Sequence, residues 1–149
     1  MDLNQLKKLQ AKLKQINQVK IEQDLKTEIL DNADEIVKLV RERWKQGKRP
    51  DGSIIGEYKS FAYQQEKLLR NPLANGNVDL IDTGDLNRQL VVNHLSGSLF
   101  NIFSTDEKAV NIAEKYGLDV YGVTKEEEFD IMQEAGNRVM KKNLALIGL

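Results

Sequence analysis

Residues 77–90 read NVDLIDTGDLNRQL, and Asp82-Thr83-Gly84 stands there behind the apolar Val78, Leu80 and Ile81. A carboxylate held on a tight turn can do acid–base hydrolysis when a second carboxylate shares its proton and a water. In a chain of 149 residues that arrangement needs a homodimer, with one Asp from each subunit. The same three residues also have a purely structural use. Asp82 or Thr83 can cap a short helical turn by accepting a backbone N–H two or three residues on. Gly84 permits the tight turn, and Leu86 and Leu90, four apart, anchor it to a core.

Asp-Thr-Gly after a hydrophobic pair is the signature of aspartic proteases, so that reading is weighed first. The protease dyad sits on loops of an almost wholly β protein, whereas more than half of this chain reads as helix. Ala or Ser usually follows the glycine, and here Asp85 adds a charge. The partner motif of two apolar residues and Gly is met only by Leu146-Ile147-Gly148, at the end of an expected helix. The match is the tripeptide and little else, so a dimeric protease using Asp82 stays as a remote alternative and the structural turn is preferred.

Other chemistry is sparse. His94 is the sole histidine, inside an apolar strand run with no acidic or Cys partner at ligand spacing. Asp51-Gly52-Ser53 lacks the rest of a calcium loop. Gly47, Gly52 and Gly56 lack the Gly-Lys-Ser/Thr of a phosphate loop. Acids at 126–128 suit a helix first turn. The reading is of no catalytic residue, no metal and no cofactor.

Composition sets the frame. The length suggests one domain, 1–149, with 1–19 a possible separate amphipathic helix for partner contact. Apolar residues are 40%, charged residues 30% and aromatic residues 6%. A modest core with polar, partner-facing helices fits those proportions. Lys and Arg number 22 against 23 Asp and Glu, a net charge of −1. The global basic bias of a nucleic-acid binder is missing. The absence of cysteine excludes disulfides and thiolate sites. No apolar run reaches the roughly 18–20 residues that span a bilayer, and the first residues show no apolar signal core. The expectation is a protein made in the cytosol.

The elements follow from pattern. Residues 3–19 read as an amphipathic helix, with Leu6, Leu9, Leu13 and Ile16 at 3-4-3 spacing and Leu3 and Val19 extending the stripe. It is locally basic through Lys7, Lys8, Lys12, Lys14 and Lys20. A solvated face is the preferred reading of those lysines, and contact with an acidic partner the sharper one. A second helical stretch runs from Ile21 to Gln46, with Leu25, Ile29, Ile36, Val40 and Trp44 on one face and a kink or break at Asp31-Asn32. Gly47 suits its end and Pro50 forbids continuation. Residues 47–60 read as a loop or a loose hairpin, and FAYQQEKLLRN as a short helix ended by Pro72. VDLI reads as a short strand, and TGDLNRQL as one turn of helix. QLVVNHL and SLFNIFS read as an antiparallel hairpin around Ser96-Gly97. A helix is expected from Ser104 to Gly117, with Ser104 and Glu107 as capping box and Val110, Ala113 and Ile112 inward. LDVYGV reads as an extended piece beside the hairpin. Thr124 and Glu127 offer a second capping box for a last helix carrying Phe129, Met132, Val139 and Met140, ending near Gly148. Helices, then strands, then helices argue for α+β: long N-terminal helices and a C-terminal helix on a small antiparallel sheet.

In order, these features resemble a family: the small virion morphogenesis proteins of tailed phages and prophages, of the tail-completion or head–tail joining class. The resemblance lies in Leu80-x-Asp82-Thr83-Gly84-x-Leu86 before the hairpin, and in Tyr116-Gly117 followed by Tyr121-Gly122-Val123-Thr124 before the last helix. It spans most of residues 20–149; the helix at 3–19 is outside it. It implies an α+β fold and a non-enzymatic structural role at the head–tail junction or tail terminus. It implies a ring of copies that meets other virion proteins, such as connector or tail tube. The location implied is the virion, assembled in the host bacterial cytoplasm. Ring contacts are heterologous, and basic Lys7, Lys8 and Lys12 would meet acidic residues 126–134 of a neighbour. Ile54, Ile55 and Tyr58, in a Gly-rich loop, form a second interface candidate; covering the local core is the equal alternative. A cytosolic adaptor that binds a partner through the first helix is the other function kept open.

Overall fold

The computed structural model describes residues 2–97 and 99–148. Ser98, at the start of the second expected strand, lies outside the described residues. Among them are seven α-helices and one two-stranded antiparallel sheet, an α+β architecture. The helices are α1 (Leu3–Gln15), α2 (Gln18–Asp31), α3 (Ala33–Lys45), α4 (Phe61–Arg70), α5 (Asp85–Arg88), α6 (Ala109–Tyr116) and α7 (Lys125–Ile147); the strands are β1 (Leu90–Ser96) and β2 (Leu99–Ser104).

The long second stretch divides at Asn32, whose side-chain amide donates to the Glu28 carbonyl at 2.8 Å. The Asn32 backbone N–H reaches the same carbonyl at 3.3 Å, so one residue closes α2 with both its side chain and its backbone, and α3 starts at the next residue. α3 is the central element: Ile36, Val37, Val40 and Trp44 are all buried. The Trp44 indole N–H donates to the Val120 carbonyl at 2.8 Å, so its one polar atom is satisfied in the core. Tyr121 stands edge-on to Trp44, ring centres 5.6 Å apart. The hairpin pairs Leu90 with Ser104 and Val92 with Ile102, with a bulge between His94 and Ser96. Leu90, Val92 and Ile102 point into the core. α7 opens with the Thr124–Glu127 capping box. Its N-terminal end is tied down by Arg43, which reaches both Glu127 and, at 2.9 Å, the Gly122 carbonyl.

Several expectations are corrected. VDLI is no strand: Asp79 turns its carboxylate onto the Ile81 N–H at 3.0 Å, and Leu80 takes a left-handed φ of 54°. Ser104 is the last residue of β2 and not a helix cap. Its hydroxyl donates to the Leu86 carbonyl, and the helix begins later, at Ala109. Within that helix Ala109 is the buried residue and Val110 faces out. LDVYGV contains a 3-10 turn, Leu118–Tyr121, and joins no strand. Phe129 and Met140 are exposed, because α7 buries only the face of Ala135, Val139 and Asn143.

Candidate functional site: the Asp-Thr-Gly turn and the first helix

The Asp-Thr-Gly turn sits on the rim of a depression of about 210 Å³. Its wall is aromatic and cationic, with Tyr58, Tyr63, Tyr116, Lys67 and Lys108. Asp82 is exposed and enters no hydrogen bond or ion pair with any other described residue, so it does not cap the helix. Thr83 donates to the Asp85 carboxylate at 2.8 Å and only distantly accepts the Asp85 N–H, at 3.4 Å. Gly84, at φ 85°, is the residue that lets the chain enter α5, and an added Cβ would meet the Arg88 guanidinium at 3.0 Å. The Thr83 hydroxyl and then Arg88 hold the Asp85 carboxyl below the usual range. The turn is thus organised by Thr83, Gly84, Asp85 and Arg88, with Asp82 left facing solvent.

The carboxylate that organises this region is Asp79, 1% exposed. It pairs with the Lys67 ammonium at 2.8 Å, and both side chains are almost wholly buried. It accepts from Tyr58 Oη at 3.3 Å, Asn71 Nδ2 at 3.0 Å and the Ile81 N–H. Lys67 also donates to the Ile81 carbonyl. A buried ion pair repays its desolvation only when its remaining lone pairs and protons are bonded, and here four donors converge on one carboxylate. Burial, then the Asp79 charge, pushes the Tyr58 phenol well above its ordinary value. The cluster therefore clamps the loop 77–81 against α4 and holds Leu80 in a backbone region that costs about 1 kcal/mol or more for a non-glycine residue. The sequence carried two signs of it: an Asp between Val78 and Leu80, and a Lys four residues after Tyr63.

Residues 47–60 are equally occupied. Arg49 bridges to Asp119 at 2.9 Å and donates to the carbonyls of Ile54 and Ile55. Ile55 is 3% exposed and belongs to the core. Tyr58 is half-buried against Tyr63, ring centres 4.9 Å apart, besides binding Asp79. As interface residues Ile55 and Tyr58 are corrected to local core, since the loop is short enough to be sewn down by Arg49; only Ile54 points outward. His94 Nε2 contacts the Gly97 carbonyl at 2.8 Å and serves the hairpin turn. Among the described residues no group of three or more His, Asp or Glu is placed to hold a metal ion, and no helix is long and apolar enough to cross a membrane.

The first helix differs from everything else. α1 is closed at its start by a capping box in which Asp2 accepts the Gln5 N–H at 2.7 Å and Gln5 accepts the Asp2 N–H at 3.0 Å. It ends at Gln15, short of the expected 19, because Asn17 caps the next helix. None of its residues is buried. Leu3 is 69% exposed, Leu6 43% and Leu13 47%, and Lys7, Lys8 and Lys12 are all exposed beside them. Its C-terminal end reaches the last turns of α7, where Leu13 and Ile16 line an apolar groove with Leu25, Val139, Met140 and Ile147. Within one chain, then, the basic helix lies at the far end of α7 from the acidic run 126–134.

Compared with known proteins, the chain matches no family model, no curated protein and no solved structure.

Proposed function

We propose that this chain is a non-enzymatic structural subunit of a tailed-phage virion, placed at the head–tail junction or tail terminus and assembling as a ring. The observation that carries the proposal is α1: a properly capped, amphipathic helix with no buried residue, whose Leu3 and Leu6 stand exposed at its outer end. A stable solution for an apolar helix face is another apolar surface, and the chain leaves this one for a neighbour. The motifs at Leu80–Leu86 and Tyr116–Thr124 support the family resemblance, and the α+β architecture agrees with the fold it implies. The Asp-Thr-Gly turn serves here as a structural bend, with Asp82 unpaired above a buried, fully bonded Asp79. Connector and tail-tube proteins are the proposed neighbours, and no nucleic-acid contact is invoked.

Mass by light scattering across concentration, at low and high salt, tests the proposal. A discrete ring of several subunits is expected. A tight dimer at every concentration would count against it and return attention to Asp82. The adaptor reading rests on the same exposed helix. It gains if the purified chain stays monomeric while a peptide of residues 1–20 captures a partner helix.

A further inference from the structure

The exposed helix has a complementary surface elsewhere on the same molecule. α2 and α3 on one side and α7 on the other enclose a groove of about 370 Å³. Its floor is apolar, with Ile29, Ile36, Leu39, Ile131 and Ala135, and its rims carry five acids, Glu28, Glu35, Glu127, Asp130 and Glu134, against one cation, Arg138. Two of the acids are already engaged: Glu28 by Lys142 and Arg138, and Glu127 by Arg43. Glu35 on α3 and Asp130 on α7 have no ion pair among the described residues, and Glu134 has only a loose contact with Arg138 at 3.7 Å. Free negative charge therefore stands on both sides of an apolar trough.

α1 is the inverse of that trough. At about 100° per residue, Leu3, Leu6, Leu9 and Leu13 fall on one stripe, with Lys7 and Lys14 along one border and Lys12 along the other. None of these lysines has an ion pair among the described residues. The outer end of the stripe, Leu3 and Leu6, is the part left over, since Leu13 already lines a groove against its own α7.

We propose that α1 of one copy docks its lysine-bordered leucine stripe into the acid-rimmed groove between α2–α3 and α7 of the next copy. This inference rests on the ring reading above and supplies its contact. Leu3 and Leu6, the stripe residues at the outer end of α1, enter the apolar floor. The lysines lay their methylenes over the rim and bring their ammonium groups to Glu35, Asp130 and Glu134. Charge also selects this pairing over a two-fold one. Two copies joined α1 to α1 would set one lysine-bordered stripe against another, with only Asp2 to offset the charge, and like charges across an interface cost affinity. A helix that needs an acidic groove on a different face makes a heterologous contact. Such contacts propagate from copy to copy until the rotation closes a ring.

The experiment uses the full chain and sedimentation equilibrium, with far-ultraviolet circular dichroism to confirm folding. The triple variant K7E/K12E/K14E is expected to weaken self-association by about a hundredfold or more, since like-charge juxtaposition costs several kcal/mol. E35K/D130K/E134K is expected to do the same. Mixed one to one, the two variants regain assembly, because each then offers the surface the other needs. A second test exploits the absence of cysteine. The double variant Leu6→Cys with Leu39→Cys should give, on oxidation, a ladder of covalent multimers beyond the dimer; either single variant should stop at the dimer. If the wild type assembles and the reversed α1 leaves its mass unchanged, or if the mixture fails to recover, the docking is overturned and the ring reading survives. If the wild type shows no self-association and the cysteine pair yields no ladder, both fall together.

Discussion

α1 and α3 are both thirteen residues long, and both carry an apolar stripe on a lysine- or arginine-bearing helix. Their fates are opposite. α3 buries Ile36, Val37, Val40 and Trp44, and α1 buries nothing. The better capped of the two is the exposed one: α1 has a full capping box, whereas Asn32 gives α3 no side-chain cap. Caps and periodicity decide that a segment is helical and which face is apolar. They do not decide whether the surface that covers that face lies in the same chain.

The comparison is broken most forcefully through α3. Trp44→Ala should cost about 3–5 kcal/mol, the usual range for emptying a buried aromatic site, read from urea unfolding by circular dichroism. Leu6→Ala in α1 should stay within about 0.5 kcal/mol in the same measurement, as surface changes do. A Leu6 cost that approaches the Trp44 cost would mean that α1 belongs to the core after all.

Next in size is the buried pair. Lys67→Met leaves the buried Asp79 without its cation, and breaking one partner of such a pair costs about 3–5 kcal/mol. Adding Asp79→Asn should recover part of the loss, because the amide keeps an acceptor for Ile81 N–H without the charge. If Lys67→Met alone is harmless, the clamp on loop 77–81 is not closed in solution.

An alkaline limit follows from Tyr121. Burial, and then the Asp106 charge, raises its phenol to about 12, while an unfolded tyrosine titrates near 10. The folded chain keeps the proton that the unfolded chain releases. This contribution is complete below pH 10 and is lost as pH rises through the interval from about 10 to about 12. Tyr121→Phe should make that part of the stability profile less steep and leave the share that the raised Tyr58 phenol contributes, at the expense of the bond that Tyr121 donates to the Ala109 carbonyl at 3.0 Å.

The finest test sets cap against cap. Thr124→Ala should cost about 1 kcal/mol, because α7 is anchored in the core. Asp2→Ala should leave the global unfolding free energy unchanged and lower only the helicity of the first turns.

Much of the scaffold was legible because local chemistry decided it. The break at Asn32, the left-handed Gly47, the hairpin and the Thr124–Glu127 box each need only a few neighbouring residues. The misreadings share a different cause. VDLI has the pattern of a strand, but the Asp79 side chain competes for the backbone N–H a strand would use, and the Lys67 that fixes Asp79 is distant in sequence. Ser104 has the pattern of a cap, but Leu86 claims its hydroxyl. Ile55 and Tyr58 lie in a Gly-rich loop; Arg49, held by Asp119 seventy residues away, fixes the backbone at Ile55, and Tyr63 and Asp79 take up Tyr58. In the Asp-Thr-Gly region the conspicuous carboxylate was Asp82, while the buried one that clamps the loop stood three residues earlier. Solvent exposure of Asp82 and burial of Asp79 are tertiary facts, and no spacing rule separates them.

Trp44 is the chain's single tryptophan, and α1 contains no aromatic residue. The indole is therefore a reporter with a restricted view. Its emission will follow the dismantling of the core around α3 and remain silent while the first helix frays or docks. Far-ultraviolet signals count every helical turn, so the two optical probes should part company wherever α1 loosens first. Intrinsic fluorescence will witness folding and miss assembly, and a dye on the first helix is what would make self-association visible.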